Sequence, residues 1–223
     1  MTKKLEVWNT DMHDILYLGS ESPARQQLLR FARIPFRAIS HSSDEQLDEK
    51  PEDFAEYVQK IAQHKMSSLN LPTRQEVGKD YLFAVTADSL IRNPKSNRIF
   101  GKPANRDDAK LMLCLEREGS IQVMTGVCLE KFVYENNAWH SDVKRHWTSS
   151  AMIEFYVDPE SLEQYLTLLP LALRCAGAGV IEDHGLSYLK SVSGSYTAAI
   201  GLPLYELRTN LRDLGFVGLV SYR

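Results

Sequence analysis

Hydrophobic and polar positions switch between two periods along the chain. The run "ILYL" at 15–18 reads as a short apolar strand, and after the polar turn "GSES" the stretch "PARQQLLRFA" is amphipathic at helical spacing and begins at a proline. An extended "IPFRAIS" at 34–40 follows. After the acidic turn "SSDEQ", the segment "PEDFAEYVQKIAQHKMSSL" places Phe54, Val58, Ile61 and Lys65 on one helical face, so a lysine ends an apolar stripe. A polar run at 72–80 leads into the apolar strand "YLFAVTADSL". Strands alternating with helices in this way predict an α/β fold.

The second half changes character. A helix follows "GKPAN", with Asn105 and Asp108 placed as a capping box and Gly119 as its stop. Then "IQVMTGVCLEKFVY", the turn "ENNA" and "WHSDVKRHWTSSAMIEFYV" predict an antiparallel hairpin or meander forming a second lobe. Asp158 is placed as an N-cap with Pro159 at the first helical position, and Leu204, Leu207, Leu211 and Leu214 share one helical face near the C-terminus. No internal repeat or low-complexity stretch divides the chain, so 1–223 reads as one two-lobed domain with 1–14 as an N-terminal extension.

Composition narrows the function classes. With 26 basic and 29 acidic residues among 223, the net charge of −3 gives no bulk attraction to nucleic acid or to a membrane surface, so any anion site must be built locally. The first residues lack the apolar core of a secretory signal and no apolar run is long enough to span a bilayer, which predicts a cytoplasmic protein without a membrane partner. Cys114, Cys128 and Cys175 form neither a disulfide framework nor a CxxC pair and read as reduced thiols in or near the core. The histidines show no metal-ligand spacing, and "EDHG" at 182–185 reads as a polar loop.

In the turn before the first helix, Ser22 is a good N-cap, Pro23 suits the first helical position, and the helix start exposes backbone N–H groups beside Arg25. Such a terminus suits a phosphate, with serine hydroxyls and a guanidinium fork as further donors. Taken alone, the segment favours no more than a capped helix after a strand, because capped helices vastly outnumber phosphate sites and no Walker sequence is present. Other polar punctuation shifts the balance. Asp44 and Glu45 sit in a turn, Asp88 stands at the C-terminal end of "LFAVTAD", Lys102 lies in "FGKP" and Lys65 ends a helix face. Carboxylates with lysines and an arginine on element ends are what metal-assisted phosphoryl chemistry requires. Asp88 is the strongest candidate, because ligand sites in α/β sheets gather at strand C-termini.

At this point the chain resembles the Maf-like nucleoside triphosphate pyrophosphatases. The resemblance runs from about residue 15 to 215 and rests on "LGSESPARQQLL", "SDEQ", "IAQHK", "TADSLI", "IFGKPANRDDAKLML", "VMTGVCL", "CAG" and "GSYTAAIGLPL" in the family's order. It implies an elongated two-lobed α/β fold, a mixed sheet with flanking helices and a cleft between the lobes, often in a homodimer. It also implies hydrolysis of a nucleoside triphosphate to monophosphate and pyrophosphate with a divalent cation, Mg²⁺ or Mn²⁺. Carried onto matching positions, Asp88 becomes the proton acceptor and a metal ligand, and Glu45 a metal ligand. Arg25, Lys65 and Lys102 hold the phosphates, while Ser20 and Ser22 line the same pocket.

The family divides by base. The dTTP/UTP branch carries a lysine before the Ala-Gly and a glutamine near the end of the segment matching "RCAGAGVIEDHG"; here stand Cys175 and Glu182, which look more like the 7-methyl-GTP branch. An ionised Glu182 accepts two hydrogen bonds, as the guanine N1–H and exocyclic amine require. Against this, Ala24 replaces the tryptophan of that branch, and Ser89 is closer to the threonine of the pyrimidine branch than to the glutamine of the other. Trp139 and Trp147 read as packing residues. A rival class, a nucleotide-binding regulator of septum formation that does not hydrolyse, would not need both Asp88 and Glu45.

Overall fold

The computed structural model describes residues 13–43, 53–116 and 119–219. Strand β1 (Leu16–Leu18) leads through helix α1 (Pro23–Phe31) to β2 (Phe36–Ala38), helix α2 (Phe54–Ser67), the single turn α3 (Arg74–Val77) and the long β3 (Tyr81–Arg92). Next come β4 (Ile99–Phe100), α4 (Arg106–Glu116) and the hairpin of β5 (Ile121–Glu135) and β6 (Ala138–Phe155). Helix α5 (Leu162–Leu168), three 3-10 segments, β7 (Leu189–Gly194), α6 (Tyr196–Ile200) and α7 (Leu204–Asp213) complete the order. No helix among the described residues is long and apolar enough to cross a membrane.

The seven strands among the described residues join one mixed sheet, ordered β2-β1-β3-β5-β6-β7 with β4 on β3. β1 is parallel to both β2 and β3, whereas β3, β5, β6 and β7 are successively antiparallel. The expected α/β architecture is present, and the antiparallel hairpin lengthens the same sheet.

Side-chain alternation along the strands sorts the core onto two faces. On one face Phe83, Val85 and Ala87 of β3 pack with Val127 and Leu129 of β5 beneath α1 and α7. Further along that face Ile91, Ile121, Val123 and Ile153 pack with Leu113 of α4 and with Leu162, Tyr165 and Leu166 of α5. These two clusters are the cores of the two lobes. The other face carries Leu82, Ala84 and Cys128 against Ala62 and Met66 of α2.

Local chemistry fixes the element ends. Ser22 Oγ accepts from Arg25 N (3.4 Å) at the start of α1, and Asp53 accepts from Glu56 N (2.8 Å) at the start of α2. Asn105 Oδ1 accepts from Asp108 N (2.9 Å), and the Asp108 carboxylate reaches back to Ala104 N (2.9 Å). Asn136 and Asn137 both have positive φ, 50° and 63°, the geometry of a two-residue hairpin turn. Asp158 differs from expectation: its side chain makes no cap bond, and Pro159–Ser161 forms a 3-10 turn before α5 begins. The short α6 and β7 carry no long apolar stripe and were not foreseen. Asp14, read as the end of an extension, is buried; its carboxylate accepts from Lys79 Nζ (2.5 Å), Tyr81 OH (3.0 Å) and Val217 N (2.7 Å).

Helix α2 lies directly on β5. A Cβ on Gly126 would stand 2.6 Å from Val58 O, and Gln59 Nε2 donates to Val127 O (3.0 Å) beside it. Further along the helix, Thr86 Oγ1 donates to Ala62 O (2.6 Å). Gly126→Ala must therefore push the helix off the sheet. A loss of about 1–3 kcal/mol in chemical denaturation is expected, and an unchanged midpoint would show that α2 does not depend on this close approach.

Candidate functional site

The site begins where β1 stops. Its last residue, Leu18, pairs with Val85, Gly19 N still donates to Val85 O (2.9 Å), and β4 rejoins β3 only at Ile91. Between those points that edge of β3 has no partner strand among the described residues, because the chain turns away towards α1. Only glycine fits the departure point: a Cβ on Gly19 would lie 2.3 Å from Leu69 Cδ2 and 2.8 Å from Thr86 Cγ2. Asp88 is thus not the end of its strand, as the sequence reading has it. It sits within β3, beyond the end of β1.

A cavity of about 590 Å³ opens there. It brings together Ser20, Ser22, Arg25, Lys65, Asp88 and Ser89, and Lys102 and Glu182 line it as well. Of the expected site residues, Glu45, like its neighbour Asp44, lies outside the described residues. Neither Trp139 nor Trp147 lines the cavity: the Trp139 indole donates to Pro72 O (2.7 Å), and Trp147 packs against the cluster under α1 and α7.

The phosphate-suited end is tightly organised. Lys65 Nζ donates to Asp88 Oδ1 at 2.7 Å with the lysine only 3% exposed, while Asp88 Oδ2 makes no hydrogen bond among the described residues. Arg25, 9% exposed, donates from Nε to Gly201 O (2.8 Å), from one terminal nitrogen to Ser20 Oγ (3.0 Å) and from the other to Ser89 Oγ (3.2 Å). Ser20 Oγ also accepts from Ser22 N (3.3 Å), so both bonds to it are received and its own proton has no acceptor among the described residues. The first turn of α1 offers fewer backbone donors than the sequence suggests. Pro23 has none, and Arg25 N and Gln26 N are engaged by Ser22, which leaves Ala24 N. Hydroxyls and side-chain cations therefore carry the anion-binding character.

The opposite wall is apolar, built from Ile121, Val123, Ile153, Phe155 and Ile181, with Glu182 as its carboxylate. Burial pushes the Glu182 carboxyl above the ordinary glutamate range, and the neighbouring Asp183 charge adds to this. Burial, with Glu182 next, pushes the Cys175 thiol up to about 11, so this thiol stays protonated and unreactive at neutral pH. The three cysteines are free, as expected. "EDHG" folds into the 3-10 segment Asp183–Tyr188.

No three His, Cys, Asp or Glu side chains gather as a metal cage among the described residues. A Mg²⁺-like ion usually takes only one or two carboxylates together with phosphate oxygens and water. Asp88, with Oδ2 unengaged at a cavity lined by cations, suits that donor set once a triphosphate supplies the remaining oxygens.

Sequence reasoning missed Thr125 and the carbonyls of Ala198 and Gly201. Thr125 Oγ1 lies 2.7 Å from Ser89 Oγ and donates to Ala198 O (2.7 Å). The segments "VMTGVCL" and "GSYTAAIGLPL" supply these groups, but only the register of β5 on β3 and the packing of α6 on the sheet bring them together.

The family model described as Maf-like protein matches residues 15–214. A dTTP/UTP pyrophosphatase from Hydrogenovibrio crunogenus is 31% identical over 203 residues, covering 90% of this chain and 96% of that protein. A nucleoside triphosphate pyrophosphatase from a Synechococcus species is 32% identical, covering 90% and 94%. A dTTP/UTP pyrophosphatase from Colwellia psychrerythraea is 30% identical over 222 residues, covering 99% and 97%.

The burial of Glu182 predicts a pH signature. Its carboxyl keeps its proton to higher pH in the folded chain than in the unfolded one, so the unfolded state binds fewer protons between the two values. Stability therefore falls as pH rises from the ordinary glutamate range through the raised value, and the deficit persists above it. Glu182→Gln is expected to melt at a higher temperature than the parent chain near pH 8 and at the same temperature below about pH 4. Equal melting at both would mean that Glu182 is solvated.

Proposed function

We propose that this chain, which belongs to the Maf-like protein family, hydrolyses a nucleoside triphosphate to its monophosphate and pyrophosphate in the cavity beside β3. The carrying observation is the division of that cavity. Lys65 holds the Asp88 carboxylate and Arg25 holds the neighbouring Ser89, with Lys102 as a further cation of the lining, while Ile121, Val123, Ile153, Phe155 and Ile181 form an apolar slot that ends at Glu182. A triphosphate suits the first and a base the second. The names of the relatives support the same reaction.

In this reading Arg25, Lys65 and Lys102 neutralise the triphosphate, and the Ser20 hydroxyl donates its uncommitted proton to a phosphate oxygen. Lys65 holds Asp88 Oδ1, which fixes the carboxylate and leaves Oδ2 to accept a proton from water. That water's oxygen bonds to the α-phosphorus, the bond from this phosphorus to the bridging oxygen breaks, and pyrophosphate departs with the electron pair. Positioning and charge complementarity carry most of the acceleration. Asp88, and Glu45 as the resemblance implies, would hold a divalent cation, which would supply further neutralisation of the phosphates. A regulator that only sensed triphosphates would gain nothing from a carboxylate beside the phosphates, where it repels them.

Glu182 also ranks the bases. An ionised carboxylate takes the two donors of guanine, whereas a neutral carboxyl offers one donor and one acceptor, as a glutamine does, and matches the N3–H and carbonyl of uracil or thymine. Burial favours the neutral form. Ala24 provides no aromatic face for a cationic methylated guanine, and Phe155 is the one phenylalanine, tyrosine or tryptophan on the cavity wall among the described residues. We therefore place a pyrimidine triphosphate ahead of 7-methyl-GTP.

Pyrophosphate release with Mg²⁺ or Mn²⁺ over UTP, dTTP, CTP, GTP and 7-methyl-GTP tests both parts. UTP or dTTP is expected to turn over fastest, and a 7-methyl-GTP preference would reverse the ranking. Asp88→Asn, which keeps an acceptor for Lys65, is expected to remain folded by circular dichroism and to lose about 100-fold or more in kcat. Near-normal turnover in that variant would refute the assignment of Asp88.

A further inference from the structure

Between the two apolar clusters, the face of the sheet that carries both is broken by a polar row, Ser89 of β3 opposite Thr125 of β5 and Thr125 opposite Ser149 of β6. On β3, Ser89 stands between Ala87 of one cluster and Ile91 of the other; on β5, its partner Thr125 stands between Val127 and Val123. Ser89 reaches the cavity wall, while Thr125 is fully buried and does not line it.

The hydrogen bonds at this step run in one direction. Thr125 Oγ1 donates its proton to Ala198 O at 2.7 Å, so the 2.7 Å contact between the two hydroxyls must be a donation from Ser89 to Thr125. With its proton committed there, Ser89 Oγ presents a lone pair to Arg25, whose guanidinium donates to it at 3.2 Å. Arg25 is held on its other sides by Ser20 Oγ and by Gly201 O. Gly201 has φ +128°, and a Cβ there would lie 3.4 Å from Arg25 Nε and 3.5 Å from Ser89 Oγ, so the loop after α6 closes over the guanidinium.

We propose that Thr125 is a positioning residue: it sets the direction of the Arg25–Ser89–Thr125–Ala198 chain and so aims Arg25 at the triphosphate. The proposal rests on the triphosphate reading of the cavity. It also sorts the two cavity hydroxyls. Ser20 receives two bonds and has a proton for the ligand, whereas Ser89 has already given its proton away and serves Arg25 instead.

Thr125→Val keeps the shape of the side chain but removes the hydroxyl, so Ser89 loses its acceptor and can turn its proton towards Arg25. The expected result is a KM for the best nucleotide raised roughly tenfold, about the value of one hydrogen bond to a charged group, with kcat changed less than KM. Affinity for inorganic tripolyphosphate, measured by calorimetry on the whole chain, should weaken by the same factor, because it has no base. Thr125→Ser should restore both, and Ser89→Ala should match Thr125→Val without adding to it in the double variant. Unchanged tripolyphosphate affinity in Thr125→Val, or an equal loss in Thr125→Ser, would overturn the proposal. If Thr125→Val does not fold, Ser89→Ala decides alone: retained affinity overturns the chain and a tenfold loss upholds it. A parent chain that binds tripolyphosphate yet releases no pyrophosphate from any nucleotide would contradict the hydrolytic reading and leave the binding test standing.

Discussion

The apolar packing on one face of the sheet cannot cross the Ser89–Thr125 step, and the cavity exists because of it. Either side of that pair the strands carry continuous hydrophobic side chains, each set roofed by its own helices. At the pair itself two hydroxyls and a guanidinium take the place of methyl groups, and they require hydrogen-bond partners that a hydrocarbon roof cannot offer. The two lobes are thus one sheet with two roofs, and the gap between the roofs is where a polar ligand fits. The early end of β1 opens the same region from the side, exposing the edge of β3 on which Asp88 lies.

Holding charge at such a place is costly, and the structure offsets the cost by pairing. Lys65 and Asp88 are nearly inaccessible to water and are joined at 2.7 Å. Removing either partner of a pair this buried typically destabilises by about 3–5 kcal/mol, because a lone charge remains. Gly126 is the cross-strand partner of Asp88, so the close seat of α2 on Gly126 brings Lys65 to Asp88 on that same face of the sheet. Arg25 is fixed by donating to Ser20, Ser89 and Gly201. Preorganised cations of this kind do not have to be reoriented when an anion arrives, which is where electrostatic catalysis gains most.

Much of this was legible in the sequence wherever the cause was local. The cap of α1, the Asn136-Asn137 turn, and the apolar stripe of α2 ending on Lys65 depend on neighbours a few residues away, and each is found where its pattern puts it. Asp88 was identified by its apolar strand, although the strand runs on to Arg92 and the relevant boundary is the end of a different strand. Thr125 carried no signal: its role depends on standing opposite Ser89 and beneath Ala198, both far away in sequence. The upward shift of the Glu182 carboxyl was equally hidden, because burial is a property of the assembled wall. Reading that residue as ionised pointed to methylated guanine, while its surroundings favour the neutral form. Asp158 failed as a cap because Pro159 begins a 3-10 turn in which the expected side-chain bond is not made.

The central claim is that water attacks the α-phosphorus of a nucleoside triphosphate held between these two roofs. Turnover in heavy-oxygen water followed by mass spectrometry of the products tests it most directly. One heavy oxygen is expected in the nucleoside monophosphate and none in the pyrophosphate. Label in the pyrophosphate, or release of inorganic phosphate in its place, would contradict it.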